Sequence, residues 1–322
     1  MSKRIEYIDV AKGITILLVI VGHVEELPPP LKSIIYSFHM PIFFLLSGYF
    51  FKNESIQDAT KKMFHSLIIP YFVVGLFMRL CQISINYFEG NPFDYIDVLS
   101  LFGVTWKFGK GVDLVSVGAI WFLVVLFWSK LYLQIVLKSK YSLLLLVLLA
   151  NCSIVIKLVF GVILPFGIQQ ALICSLFVYA GVICKKYSLF DKKIPTIAFV
   201  IFFLSAIPFV KSFAVATRAN SYGYGMMSIV ISIIISVMVV YAVKKLCEFK
   251  CIFLRRCLSW CGRFSIIILA VHSIETRYIC GFIPFPNWYF EILVRIVYVL
   301  IISYICVRIG FIRKLFNIKE NY

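Results

Sequence analysis

The chain has 322 residues, of which 62% are hydrophobic and 15% are charged, and its net charge is +17. So apolar a composition excludes a soluble globular fold of this length. In a soluble protein the positive charge would favour nucleic acid as a partner. Here Lys and Arg cluster in short stretches between apolar runs, which is typical of cytoplasmic loops. We therefore expect a lipid bilayer, and no nucleic acid, around this chain.

The apolar runs predict an all-α fold, a polytopic integral membrane helix bundle that forms a single domain over residues 1–322. About ten transmembrane helices are expected, because runs near 20 residues favour spanning helices over barrel strands. We place the spans at 8–24, 31–51, 64–88, 117–137, 141–160, 162–184, 194–213, 225–246, 262–281 and 288–312. Ten spans put both termini on one side. The hydrophilic stretches on that side hold nineteen Lys and Arg against five on the other, which predicts cytoplasmic termini.

The first span carries Lys12 near its start and His23 at its end, eleven residues apart. At about 100° and 1.5 Å per residue, the two side chains share one helix face and lie roughly 16 Å apart along the axis. A neutral imidazole can take a proton from a hydroxyl, so His23 is a candidate general base. Both residues also have structural interpretations. His23 could be an interfacial histidine, and Lys12 could snorkel to the surface or pair with Asp9.

The second span contains His39, Pro41 and Ser47. Proline removes a helical hydrogen bond, so we expect the helix to kink or unwind near Pro41. Irregular backbone at membrane depth is tolerated where it lines a cavity, which makes His39 a candidate substrate contact. Ser47 is small enough either for close helix packing or for contact with a ligand, and both interpretations stay open.

Two later spans carry further ionisable groups. Arg79 lies well inside the third apolar run and is expected to face the bundle. His272 and Glu275 are three residues apart and share a helix face, so they form either a second polar patch of the site or a self-satisfied pair.

Four cysteines surround a basic stretch that we interpret as a cytoplasmic loop; they are Cys247, Cys251, Cys257 and Cys261. Their two C-x3-C pairs are spaced more widely than the usual C-x2-C pairs of zinc sites. We therefore predict no metal site.

Lys12, ten residues and His23 resemble the first-helix motif of the membrane acyltransferase-3 family, a basic residue separated by ten residues from a histidine. FHMPIFFLLSGYFF at 38–51 resembles the second-helix signature of that family, closest to its sugar O-acetylase branch of fucose 4-O-acetylase-like proteins. Weaker matches are IWFLVVL at 120–126 and CGRFSIIILAVHSI at 261–274. The family more often has arginine at the position of Lys12. Arginine can clamp a phosphate with two hydrogen bonds, whereas lysine supplies a point charge.

The resemblance implies an O-acyltransferase, in this branch an O-acetyltransferase, of the bacterial plasma (inner) membrane. It would move acetyl from cytoplasmic acetyl-CoA, a donor substrate rather than a bound cofactor, to a hydroxyl of a cell-surface or lipid-linked polysaccharide sugar. His23 would deprotonate that hydroxyl, Lys12 would face the donor, and Trp121 would lie near the sugar ring. The candidate substrate-binding residues are His39, Ser47, Arg79 and Trp121. Proteins of polysaccharide biosynthesis are candidate partners.

The alternative is a polytopic transporter or flippase of a glycan or small solute. Many spans, a broken helix and buried charges fit that class equally well. The close match at 12–51 and the lack of a visible internal repeat favour the enzyme.

Overall fold

The computed structural model describes residues 4–91, 98, 100–102, 106–108, 112–114, 118–192, 215–216, 221–248, 251–280 and 283–318. These residues are mostly helical. The helices are α1 (Glu6–Gly22), α2 (Pro29–Tyr49), α3 (Ile56–Met63), α4 (Ile69–Phe88), α5 (Trp121–Val136), α6 (Ser142–Phe160), α7 (Ile168–Lys186), α8 (Met226–Leu246), α9 (Ile252–Arg263), α10 (Ser265–Tyr278), α11 (Trp288–Arg308) and α12 (Gly310–Leu315). A π-helical turn, Phe64–Ile68, joins α3 to α4. Two short antiparallel pairs complete the fold: β1 (Trp106–Phe108) with β2 (Val112–Leu114), and β3 (Val215–Ala216) with β4 (Ser221–Tyr222).

The prediction of an all-α, multi-pass membrane bundle is confirmed. Within the described ranges, seven helical segments are long and apolar enough to cross a membrane, or eight if the bent pair α9–α10 is one span. The first predicted span forms α1, which has only 17 residues. The span predicted at 194–213 lies outside the described residues. The count of ten and the cytoplasmic termini therefore stay predictions.

The ninth predicted span, 262–281, is wrong in its shape. The chain bends by 75° between α9 and α10, at Phe264. Much of the stretch 247–260, which we expected to be a loop, is the helix α9. The arginines of α9 give this stretch a polar composition, which is why we interpreted it as a loop. The face of α9 that points into the bundle is nevertheless buried.

That inner face of α9 packs directly on α1 through two glycines. A Cβ built on Gly13 would lie 1.9 Å from the carbonyl oxygen of Leu258, and one on Gly262 would lie 1.8 Å from that of Asp9. Only residues without a side chain allow two helix backbones to approach this closely. The contact fixes the lysine-bearing end of α1 against the start of α10.

Pro41 does not interrupt α2, which is continuous from Pro29 to Tyr49, so the expected unwinding is wrong. Proline leaves the carbonyl four residues earlier, that of Ser37, without its helical donor. This carbonyl accepts a hydrogen bond from the hydroxyl of Ser232 on α8, at 2.5 Å. A neighbouring helix thus replaces the missing backbone donor, which explains how the proline stays inside a buried helix.

A second close helix contact joins α2 to α7. A Cβ on Gly48 would lie 1.9 Å from the carbonyl oxygen of Val178, and one on Gly181 would lie 1.9 Å from that of Leu45. Gly48 therefore supplies close helix packing at this point of α2. Its neighbour Ser47 lines a cavity instead.

Candidate active site

Two histidines from distant parts of the chain meet inside the bundle. His23 is the C-terminal cap of α1, and His272 lies in the middle of α10 with 1% of its surface exposed. Their rings contact edge to face, with centroids 5.0 Å apart. His23 is therefore packed against a buried imidazole, a contact that a purely interfacial histidine would not need.

Hydrogen bonds fix which nitrogen of each ring is basic. His23 Nδ1 lies 2.7 Å from the carbonyl oxygen of Val19, and His272 Nδ1 lies 3.0 Å from Oε2 of Glu275. Because carbonyl and carboxylate oxygens accept hydrogen bonds, Nδ1 carries the hydrogen in both rings. Nε2 is then the nitrogen that can take a proton when the ring is neutral. Among the described residues, the buried Nε2 of His272 has no hydrogen-bond partner.

A buried ion-pair network holds His272 in place. Glu275, which is fully buried, also pairs through Oε1 with Arg295 of α11 at 3.3 Å. Arg295 pairs in turn with Glu291 at 2.7 Å. Buried charges are retained only with such partners, because removing them from water is expensive. Of the two interpretations that the sequence left open, the pairing of His272 with Glu275 is confirmed, while a role of the two residues in the site stays a prediction.

The middle of α1 borders a cavity of about 340 Å³, which we call the lysine cavity. Its polar lining consists of Lys12, Ser47, Ser66, Lys130, Ser265 and Asn317. The other lining residues are apolar, and no carboxylate of the described residues is among them. Lys12 also lies over the ring of Phe50, 5.3 Å from its centroid. The ion pair of Lys12 with Asp9 that the sequence allowed is not among the contacts of the described residues.

The lysine cavity ends close to the two histidines without including them. Leu269 lines it, and His272 follows three residues later on the same face of α10, about one helical turn away. Met40 lines it too and is the neighbour of His39 along α2. The cavity therefore contains Lys12, and a continuous path from it to His23 stays a prediction.

His39 does not contact the paired histidines directly. Its Nδ1 lies 2.8 Å from the carbonyl oxygen of Ile35, and its ring lies edge to face with that of Tyr36, at 4.8 Å. The hydroxyl of Tyr36 donates to the carbonyl of Gly22 at 3.3 Å. Tyr36 therefore lies between His39 and the end of α1 that carries His23.

Arg79 and Trp121 are buried beside α10, and neither lines the lysine cavity. The carbonyl one residue before Arg79 accepts a hydrogen bond from the hydroxyl of Tyr278. Trp121 begins α5 directly after a turn in which Gly118 packs against Ser273. Residues beside Arg79 and Trp121 thus contact the helix that carries His272, and the contact of Arg79 and Trp121 with a substrate stays a prediction.

Lys130 is a candidate functional residue that the sequence reasoning missed. It is the single charged residue in the apolar run 121–137, and that isolation was the available signal, because charges inside spans tend to face functional cavities. The ion pair of Arg295 with Glu291 was also missed, although its spacing of four residues is favourable on a helix.

The fold and the site together define a polytopic membrane protein with two contacting histidines inside the bundle and a cavity lined by two lysines. Residues 5–308 match the model of the acyltransferase-3 family, described as an acyltransferase domain, and the chain therefore belongs to that family. Neither a curated protein nor a solved structure matches the chain. It is thus a multi-pass membrane acyltransferase.

Proposed function

We propose that this acyltransferase works in the plasma membrane as an O-acetyltransferase of the sugar O-acetylase branch. It takes acetyl from cytoplasmic acetyl-CoA and transfers it to a hydroxyl of a cell-surface or lipid-linked glycan. One observation carries the proposal: the pair of His23 and His272 lies about one helical turn beyond a cavity lined by two lysines. Acyl transfer from a phosphate-bearing thioester requires cations for the donor and a base for the hydroxyl.

In the proposed reaction the acceptor hydroxyl oxygen attacks the thioester carbonyl carbon. His23 Nε2 takes the hydroxyl proton as the new C–O bond forms and the C–S bond breaks. The proton then passes from the imidazolium to the departing sulfur, which yields free CoA and restores neutral His23. The hydrogen bond from Nδ1 to the carbonyl of Val19 keeps His23 in the tautomer that this step requires.

His272 and its partners are positioning residues in this scheme. The ring of His272 packs against the ring of His23, and Glu275 and Arg295 hold His272 from the other side. A base held in the correct orientation loses less entropy on reaching the transition state. The network therefore contributes to the rate without touching the substrate.

Mass spectrometry of surface glycans tests the function. Cells that express the protein are compared with cells that lack it and with cells that express His23→Ala at the same protein level. We expect the loss of one acetyl mass per glycan repeat in both latter cases, with the glycan otherwise intact. Complete loss of the surface glycan in cells without the protein would contradict the proposal and indicate transport.

A further inference from the structure

We propose that Lys130 and Lys12 together form a binding site for the phosphate groups of a nucleotide-bearing acyl donor, and that Lys130 makes the enzyme prefer such a donor to a shorter thioester. This inference rests on the proposed function, because it assigns the donor side of the same reaction. Lys130 is not part of the sequence motif at 12–23, because it lies on a different helix, α5.

The two ammonium groups reach the lysine cavity from different helices, Lys12 from α1 and Lys130 from α5. Within the described residues, neither lysine donates a hydrogen bond or forms an ion pair. Two like charges beside one partly buried cavity repel each other, and an anion between them removes that repulsion. The lining of the lysine cavity contains no carboxylate among the described residues, so an anionic ligand there would supply the nearest compensating charge.

Lys130 also lies at the border between two cavities. A second cavity, of about 150 Å³, shares Lys130 and Phe50 with the lysine cavity and adds Lys52 and Lys62. Its acidic lining residue, Glu54, pairs with Lys62 at 2.5 Å. Lys130 therefore borders both cavities and Lys52 adds a further cation beside the second one, which favours a ligand with several phosphates.

The apolar lining of the lysine cavity indicates the polarity of the part of the ligand that carries no phosphate. The apolar lining includes Ile16, which lies between Lys12 and His23 along α1, and Leu269, which lies between Ser265 and His272 along α10. Apolar residues therefore follow the lysine toward the histidines, which suits a weakly polar arm beyond the phosphates. An acyl thioester with a pantetheine arm and a nucleoside diphosphate head has both features in this order.

Binding measurements on the purified full-length protein in lipid nanodiscs test the inference, with CoA and pantetheine as probes. Pantetheine keeps the thiol arm and lacks every phosphate. We expect Lys130→Gln to weaken CoA binding about tenfold or more, because the loss of a hydrogen bond to a charged group lowers affinity by about that factor. Pantetheine binding should be unchanged. Lys130→Arg should restore CoA binding to within about threefold of the wild type, because it keeps the charge. The matched control is Lys138→Gln, which removes the same charge from the exposed turn after α5.

Three results would overturn the inference: unchanged CoA affinity in Lys130→Gln, an equal loss for CoA and pantetheine, or equal affinity of the wild-type protein for both probes. The last comparison needs no variant, so it decides the question even if Lys130→Gln fails to fold. Acetyl transfer that occurs without dependence on Lys130 would refute this inference alone. CoA binding that depends on Lys130 without any acetyl transfer would refute the proposed function alone.

Discussion

His23 and His272 lie edge to face with their ring centroids 5.0 Å apart, although they come from the first helix and from a helix near the other end of the chain. Each ring has Nδ1 hydrogen-bonded to an oxygen acceptor, so Nε2 is the basic nitrogen of both. The site therefore contains two oriented imidazoles, and Glu275 holds that of His272 through an ion pair.

The first prediction concerns His23 as the general base. His23→Ala should lower acetyl transfer by about 10²–10⁴-fold, the usual contribution of general base catalysis. The rate is measured as CoA release from acetyl-CoA in membranes with matched amounts of protein. Near-normal acetylation by His23→Ala at normal protein level would end the assignment of His23 as the base.

The second prediction separates positioning by Glu275 from general support of the fold. Glu275→Gln keeps the size of the side chain and removes the charge that holds His272 and Arg295. We expect kcat to fall about tenfold or more with little change in the KM for acetyl-CoA, because the orientation of the base suffers and donor binding does not.

Glu291→Gln is the control for that experiment, because it removes the other carboxylate of Arg295 and leaves the contact of Glu275 with His272 intact. Breaking a buried ion pair destabilises a protein by about 3–5 kcal/mol, so thermal unfolding is measured for both variants. Equal losses of kcat in the two variants would show that Glu275 acts only through stability.

The sequence was sufficient for the features that depend on one helix. Helix geometry alone placed Lys12 and His23 about three turns apart on one face of α1, and hydropathy found the long apolar helices. The contact of His23 with His272 could not be predicted, because the two residues lie far apart in the sequence and no local pattern encodes such a contact. The pair of Arg295 with Glu275 escaped because it joins two helices, whereas the spacing of four residues between Glu291 and Arg295 was a usable local signal.

Local patterns misled the prediction at two places. The polar composition of α9 concealed a helix, because the contact through Gly13 and Gly262 needs small residues rather than an apolar stripe. Pro41 predicted a broken helix, but a hydroxyl from α8 satisfies the carbonyl that the proline exposes. In both cases tertiary contact overrides the local signal.

The third prediction concerns Lys12. Lys12→Ala removes a cation from the lysine cavity and should mainly raise the KM for acetyl-CoA, because the lost contact is one of binding. Lys12→Arg restores the charge and should recover much of the activity, with a hydrogen-bonding group suited to phosphate. Steady-state rates over a range of acetyl-CoA concentrations check both variants. A fall in kcat with an unchanged KM in Lys12→Ala would contradict a role in donor binding.

The fourth prediction concerns the replacement of the hydrogen bond that Pro41 removes. Ser232→Ala leaves the buried carbonyl of Ser37 without its donor, and an unsatisfied buried polar group costs about 1–3 kcal/mol. Ser236→Ala is the matched control: it is the same substitution one turn later on α8, and its hydroxyl donates only to the carbonyl of Ser232 within its own helix, at 2.7 Å. That carbonyl is four residues back and already has its helical partner. Thermal unfolding in a fixed detergent should therefore show a clear loss for Ser232→Ala and a small change for Ser236→Ala. If the two variants unfold at the same temperature, the hydroxyl of Ser232 does not compensate for the proline.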